Sequence, residues 1–371
     1  MDASQIVRRF PLVARPRPAC SPLVDRVQEI GGLAREAERT GRLAPASAAF
    51  NKAALLASDC AVPDLARTLC WRHAVAYLRT QPLGAQVARF SLEPLVNLAR
   101  LLIRSGDGGG GFALLDSMYR AVTSGTAVTI DGNEVSFERV TGANEDRRKL
   151  HQWLWTVLLA DGTRALASAD MWAEAHAQVQ RHKGIGSRML DGRQVAVIAH
   201  ITAGDIERAE VLLSGTVPGE AWESAIAALL TVLCRRTANL PVDTALDDLV
   251  DLYRSLERSA GLAVFLTRLG LSAIDLAGGQ GPGIASRIAT DLVEETVAVG
   301  DGYAARDVLS HPGCHEYMTA QQADRLQRIV EGCALGSGAI PEDLRGDLFT
   351  ALNTSESVIT RVCAAAPSAS A

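Results

Sequence analysis

The sequence predicts an all-α protein, an array of helical hairpins with one β-hairpin inserted near residues 126–140. Three observations lead there. Apolar residues recur at helical spacing along most of the chain, as in Leu150, Leu154, Val157 and Leu158. A three-residue frame recurs: a small or turn-forming residue, a small residue five positions on, and a larger apolar residue four beyond that. Its copies are Gly41–Ala46–Phe50, Ala61–Ala66–Cys70, Gly106–Gly111–Leu115, Asp170–Ala175–Val179, Gly204–Ala209–Leu213 and Gly300–Ala305–Leu309. In each copy the first residue lets the chain reverse, the second lets a neighbouring helix approach, and the third fills the gap on the same face. Finally, Thr126–Val140 alternates at period two instead, with Val128 and Ile130, a turn at Asp131–Gly132, then Val135 and Phe137.

The elements follow in order. Residues 1–21 carry Pro11, Pro16, Pro18 and several arginines and read as an extended arm. Residues 22–125 read as N-terminal helical repeats. Ser21 caps a first helix with Pro22 at its first position, ending near Arg39. Helices Ala46–Ser58, Asp64–Arg79 and Ala85–Ser105 follow, the last holding Pro94 near a bend. Gly108–Gly111 reads as a loose interhelical turn, because no strand precedes it and no Lys with Ser/Thr follows to cradle phosphate. The β-hairpin should lie against helices, as a rim over a groove or a decorated connection.

Residues 141–360 read as central and C-terminal repeats. They open on a helix from Asn144 and include Glu220–Arg236, amphipathic Val242–Arg258, and a nearly all-apolar, buried Gly261–Leu276. Gly278–Gly283 reads as a loop. Helices Ile284–Val299, Thr319–Gly332 and Pro341–Asn353 close the series, and residues 361–371 read as a disordered tail.

Bulk properties narrow the function. With 371 residues, 48% hydrophobic and 21% charged, the chain can bury a sizeable core. A net charge of −5 disfavours non-specific nucleic-acid binding, which runs on phosphate neutralisation. Only Lys52, Lys149 and Lys183 of the 37 basic residues are lysines, the mark of GC-rich coding. Seven scattered cysteines without a CxxC fit reduced, mostly buried thiols in a cytoplasm. Neither a secretory signal nor an apolar run of membrane-spanning length is expected.

The frame copies, above all Gly204–Asp205–Ala209–Leu213 and Gly300–Asp301–Ala305–Leu309, resemble the tetratricopeptide-like α-solenoids over roughly residues 41–310. Asp170 and Gly204 stand 34 residues apart, the family's repeat length. The early Trp, Leu and Gly of the family's first helix do not occur together in any copy. The chain also resembles the helical sensor halves of larger bacterial regulators, though residues 1–40 are too short for a helix-turn-helix. The resemblance implies a binding surface for a peptide or protein on the concave face.

No GxSxG, HExxH, Walker A or strand–helix glycine fingerprint occurs, and no catalytic residue, metal or cofactor is expected. His311, Cys314 and His315 have ligand chemistry, but Pro312 and Gly313 break the helix they would share. His151, His176, His182 and His200 have no partner at recognisable spacing. Binding candidates are of two kinds. Asn51, Asn97, Arg100 and the nearby Arg104 match in type the amides and cations with which tetratricopeptide domains grip a peptide C-terminus. Arg147, His151 and Trp155 belong to an interleaved basic and aromatic run that suits an aromatic peptide residue or a base. Within it Trp153 reads as core, and Trp71–Arg72–His73 is a smaller version.

The sequence therefore predicts a non-catalytic cytoplasmic scaffold that binds a peptide or protein partner in a helical groove, with no membrane partner. A homodimer is compatible with such a surface. Alternatives are an enzyme or small-molecule binder with its pocket near the β-hairpin and, more weakly, a regulator linked to nucleic acid.

Overall fold

A computed structural model describes residues 6–278 and 282–365. Helices α1 (Leu23–Thr40), α2 (Leu43–Asp59), α3 (Pro63–Leu78), α4 (Ala85–Arg104) and α5 (Gly108–Ser124) lead to strands β1 (Ala127–Ile130) and β2 (Asn133–Ser136). Helix α6 (Asn144–Val157) runs into a π-helical turn, Leu158–Gly162, and then α7 (Thr163–Ser168). Next come α8 (Trp172–Arg181), α9 (Asp191–Thr202), α10 (Ile206–Ser214), α11 (Ala221–Thr237) and α12 (Asp243–Ser255). A short 3-10 turn leads into α13 (Ala263–Ala277), followed by α14 (Pro282–Val299) and α15 (Gly302–Leu309). The last three are α16 (Pro312–His315), α17 (Ala320–Gly332) and α18 (Glu342–Ala365). The protein is an all-α helical array with an inserted β-hairpin, and successive helices pack on one another along much of the chain.

The recurring frame has a common geometry. Gly41, Ala61, Gly106, Asp170, Gly204 and Gly300 all adopt positive φ, between 57° and 93°. This left-handed residue ends one helix and turns the chain towards the next. In three copies an Asp follows and caps that next helix. Asp107 accepts from the Gly110 amide at 2.8 Å, Asp205 from Arg208 at 3.3 Å, and Asp301 from Ala304 at 2.9 Å. The small residues five on, Ala46, Ala66, Ala175, Ala209 and Ala305, are completely buried. At Gly111 an added Cβ would sit 2.8 Å from the Ile103 side chain and 3.0 Å from the Ala99 carbonyl, which is why α5 can lie so close to α4.

Several expectations shift. Gly108–Gly111 is not a loose turn but the first turn of α5, because Asp107 caps it. Pro22 precedes α1 as its N-cap, without a side-chain cap from Ser21. The last helix continues past Asn353 to Ala365, so 361–365 is helical and 366–371 lies outside the described residues. Of the glycine-rich loop, 279–281 lies outside them too, while Pro282 and Gly283 belong to α14. The residues described in the N-terminal arm are largely extended but anchored. Ile6, Val7, Phe10 and Leu12 are buried, and the Gln194 side chain bonds both the amide and the carbonyl of Leu12 at 2.8 Å.

The chain forms two compact units that interleave in sequence, cutting across the expected segments. The first comprises Pro22–Ala165 and Ala334–Ala371, the second Met1–Ser21 and Leu166–Cys333. In the first unit α18 returns to pack on α1, α2 and α3. Its core runs from Val27 and Phe50 through Leu92 and Leu154 to Leu352, and takes in Ile130, Val135 and Phe137 of the hairpin region. The hairpin closes through Asp131 and Gly132, both left-handed, in the register Ile130↔Asn133 and Val128↔Val135. The second unit is centred on the apolar faces of α9, α11, α13 and α14, with Ile198, Leu229, Leu269 and Val293 all inaccessible.

Candidate functional site

Along α4, Arg89, Glu93, Asn97, Arg100 and Arg104 follow one another at intervals of four, four, three and four, which places them on one face. Helix α2 packs against α4, and α4 against α6, so these three form one layer of the first unit. Their side chains make a continuous ladder. Arg89 Nε donates to Glu93 Oε1 at 3.2 Å, and Asn51 Nδ2 donates to Glu93 Oε2 at 3.1 Å. Asn97 Nδ2 donates to Asn51 Oδ1 at 3.0 Å, and Arg100 Nη1 to Asn97 Oδ1 at 2.9 Å. Arg100 then reaches Asp161 Oδ2 with Nε at 3.2 Å and Nη2 at 2.7 Å.

The structure thus brings Asn51, Asn97 and Arg100 together. It adds two acids that sequence reading passed over. Glu93 was legible as the i, i+4 partner of Arg89. Asp161 was not, because it comes from the π-helical turn after α6, a backbone form that concentrates at functional sites. Two guanidinium groups face two carboxylates, so the ladder is neutral. The Arg100 side chain is half exposed, whereas Asn51 and Asn97 are half-buried. Arg89 also lies 5.5 Å from the centre of the Trp153 ring, which packs on the core as expected.

Arg104 serves another centre. Together with Arg26 it binds Asp59, whose side chain is fully buried. Two cations on one buried carboxylate tie α1 and α4 to the end of α2, and the backbone carbonyl of Asp59 accepts from Gly336 at 2.8 Å.

The second candidate group gathers beside the β-hairpin. Arg147 and His151 line a cavity of about 600 Å³ with Arg148, Asn144, Thr123 and Val122. Arg147 donates to the Glu138 carbonyl just past β2 at 3.1 Å, and His151 packs on Tyr119 with ring centres 4.8 Å apart. At the start of α6, Glu145 pairs with Lys149 at 2.7 Å, and that ammonium holds the Glu145 carboxyl below its ordinary pKa. Trp155, on the same helix, is half-buried and is not among the side chains lining the cavity.

Trp71, Arg72 and His73 separate into three roles. Trp71 Nε1 donates to Asp131 at the hairpin tip at 3.1 Å, and Arg67 pairs with the same carboxylate at 2.9 Å. Arg72 binds Glu356 and Asn353 of α18. His73 is buried between Phe50, stacked at 4.9 Å, and Tyr77 at 5.6 Å. That burial pushes its pKa down to about 3.

His176 and His200, expected to be without partners, face each other edge-on at 5.0 Å, and burial lowers the His176 pKa. All seven cysteines are free thiols, with only Cys363 partly exposed. Burial pushes Cys70 and Cys314 up to about 12, which removes both as nucleophiles at neutral pH. Among the described residues, no three His, Cys, Asp or Glu side chains converge as a metal-holding group. No helix there is long and apolar enough to cross a membrane.

Fold and site together define the class: an all-α helical array carrying a polar side-chain ladder across three helical elements. Compared with known proteins, the chain matches no family model and no curated protein or solved structure.

Proposed function

We propose that the protein is a non-catalytic binding protein that holds an extended segment of a peptide or protein partner along the α2/α4/α6 layer of its first unit. The observation that carries this reading is the ladder from Arg89 to Asp161. Half-buried side-chain amides at Asn51 and Asn97 can exchange their mutual bond for bonds to a peptide backbone, which offers both donors and acceptors. The ladder's neutrality suits a backbone better than a carboxylate, since a C-terminal carboxylate would have to displace Asp161 from Arg100. The tetratricopeptide-like reading agrees, because arrays of that kind bind on the layer where alternate helices touch. The buried, reduced thiols fit a cytoplasmic scaffold.

The test is affinity selection of a displayed random peptide library on the full chain, in parallel with Asn97→Ala/Arg100→Ala. The reading expects a consensus on the native protein that disappears on the variant. The same consensus on both, or none on the native protein, overturns it.

A second reading has its own observation. The cavity by the hairpin, with Arg147, Arg148 and His151 on its wall, has the size of a small-molecule pocket. An accessory role for a small anionic ligand there would leave peptide selection untouched by Arg148→Gln, while anion-dependent thermal stabilisation of the native protein would be lost in that variant.

A further inference from the structure

The second unit holds a cavity of about 400 Å³, the size of a small metabolite. It is bounded by Arg8 and Arg9 of the N-terminal segment, Arg268 and Asp275 of α13, Asp307 of α15, and His311. Its charges do not balance. Asp275 pairs with Arg9 at 2.6 Å. Asp307 is shared between Arg306, at 3.0 Å, and Arg268, at a loose 3.7 Å. Arg8 is exposed and has no hydrogen bond or ion pair among the described residues. Three guanidinium groups thus line the cavity against two carboxylates, leaving an excess of one positive charge, and Arg306 reaches Asp307 from outside the lining.

His311 adds a second, independent feature. Its side chain is only 7% exposed, and Nε2 lies 3.0 Å from Asp275 Oδ1. Although burial pushes the Asp275 carboxyl up, hydrogen bonds from His311 and Arg9 and the charge of Arg9 hold it below its ordinary pKa, so it is ionised at neutral pH. An ionised carboxylate only accepts, so Nε2 carries the hydrogen. In the tautomer that places the hydrogen on Nε2, the other ring nitrogen, Nδ1, is a bare acceptor, and it is buried without any partner. Such an orphan is costly and calls for a donor. Gly313 lies on the same cavity wall against that edge of the ring, where an added Cβ would stand 3.3 Å from Nδ1.

We propose that this cavity binds a small anion that also carries a hydroxyl group. Arg8 and Arg268 hold the anionic group, and the hydroxyl donates to His311 Nδ1. Asp275 fixes the ring in the tautomer that can accept. A phosphate ester of a polyol and a hydroxycarboxylic acid share this chemistry.

The test follows the imidazole nitrogens of the ¹⁵N-labelled full chain at neutral pH. The probes are glycerol phosphate and glycerate, each against its deoxy control, propyl phosphate or propionate. The expected result is a saturable shift of His311 Nδ1 with one of the hydroxylated probes, whose identity assigns the anion. Its deoxy control should bind about tenfold more weakly, the worth of one hydrogen bond to a buried acceptor. Arg8→Gln/Arg268→Gln, checked for an unchanged urea midpoint, should weaken the hydroxylated probe by about tenfold or more. No saturable shift with either hydroxylated probe, equal binding of the deoxy control, or undiminished binding by the folded variant would each overturn the proposal.

Discussion

Asn97 donates its side-chain amide to Asn51 across 3.0 Å, and this bond joins the polar stripe of α4 to α2. Each amide has a further partner, Glu93 for Asn51 and Arg100 for Asn97. Both side chains are therefore held in one orientation before any partner arrives. Fixing them in advance lowers the ordering cost of binding. The same arrangement explains why Arg100 is not a free anion receptor, since its guanidinium already rests on Asp161.

The left-handed residue in each copy of the frame is a backbone requirement, and Gly204 isolates it. An added Cβ at Gly204 would meet nothing within 4 Å, yet φ there is 76°. Gly204→Ala should thus cost about 1–2 kcal/mol from the backbone alone. Gly186→Ala, at a position equally open but without positive φ, should cost much less. Urea unfolding of the two variants checks this, and equal costs would remove the frame's physical basis.

His73 makes stability depend on pH. Its folded-state pKa of about 3 lies below the ordinary 6.5, so on acidification protons bind the unfolded chain first. The stability contribution is complete above about pH 6.5 and is lost as pH falls towards 3. Each unit in that window is worth about 1.4 kcal/mol, or roughly 2 kcal/mol by about pH 5. Between pH 7 and 5, His73→Phe should therefore gain about 2 kcal/mol relative to the native protein in urea unfolding. A difference that does not change with pH would contradict the burial of a neutral ring.

Asp131 both forms the left-handed turn of the β-hairpin and pins its tip to α3 through Trp71 and Arg67. Asp131→Ala should lower stability by about 1–2 kcal/mol and speed amide exchange across Ala127–Ser136. Asp131→Asn keeps the turn preference and one acceptor and should do less. Unchanged exchange in the Ala variant would mean that the hairpin is held by Ile130 and Val135 alone.

What could be read from the sequence was local chemistry. A left-handed glycine, an Asp cap and a buried Ala lie within six residues of one another, as at Gly204–Asp205–Ala209, so the frame is visible without knowing what packs on it. Asp131–Gly132 declares its turn in the same way. Long-range pairing was hidden. Helical spacing shows that α18 has a buried face, but not that Glu356 meets Arg72, 284 residues away. Cys20 N–H bonding to Asp301 across 281 residues was equally invisible. The ladder was half legible: Asn51, Asn97 and Arg100 stand out by type, whereas Asp161 depends on a π-helical turn that no local pattern announced.

The most direct measurement is calorimetric titration of a library-selected peptide, with its C-terminus amidated, into the native protein and Asn97→Ala. Backbone recognition by the ladder predicts that the amidated peptide binds as tightly as the free acid, and that Asn97→Ala loses about tenfold or more in Kd, the equivalent of at least one hydrogen bond. An unchanged Kd in Asn97→Ala would contradict peptide binding on this face.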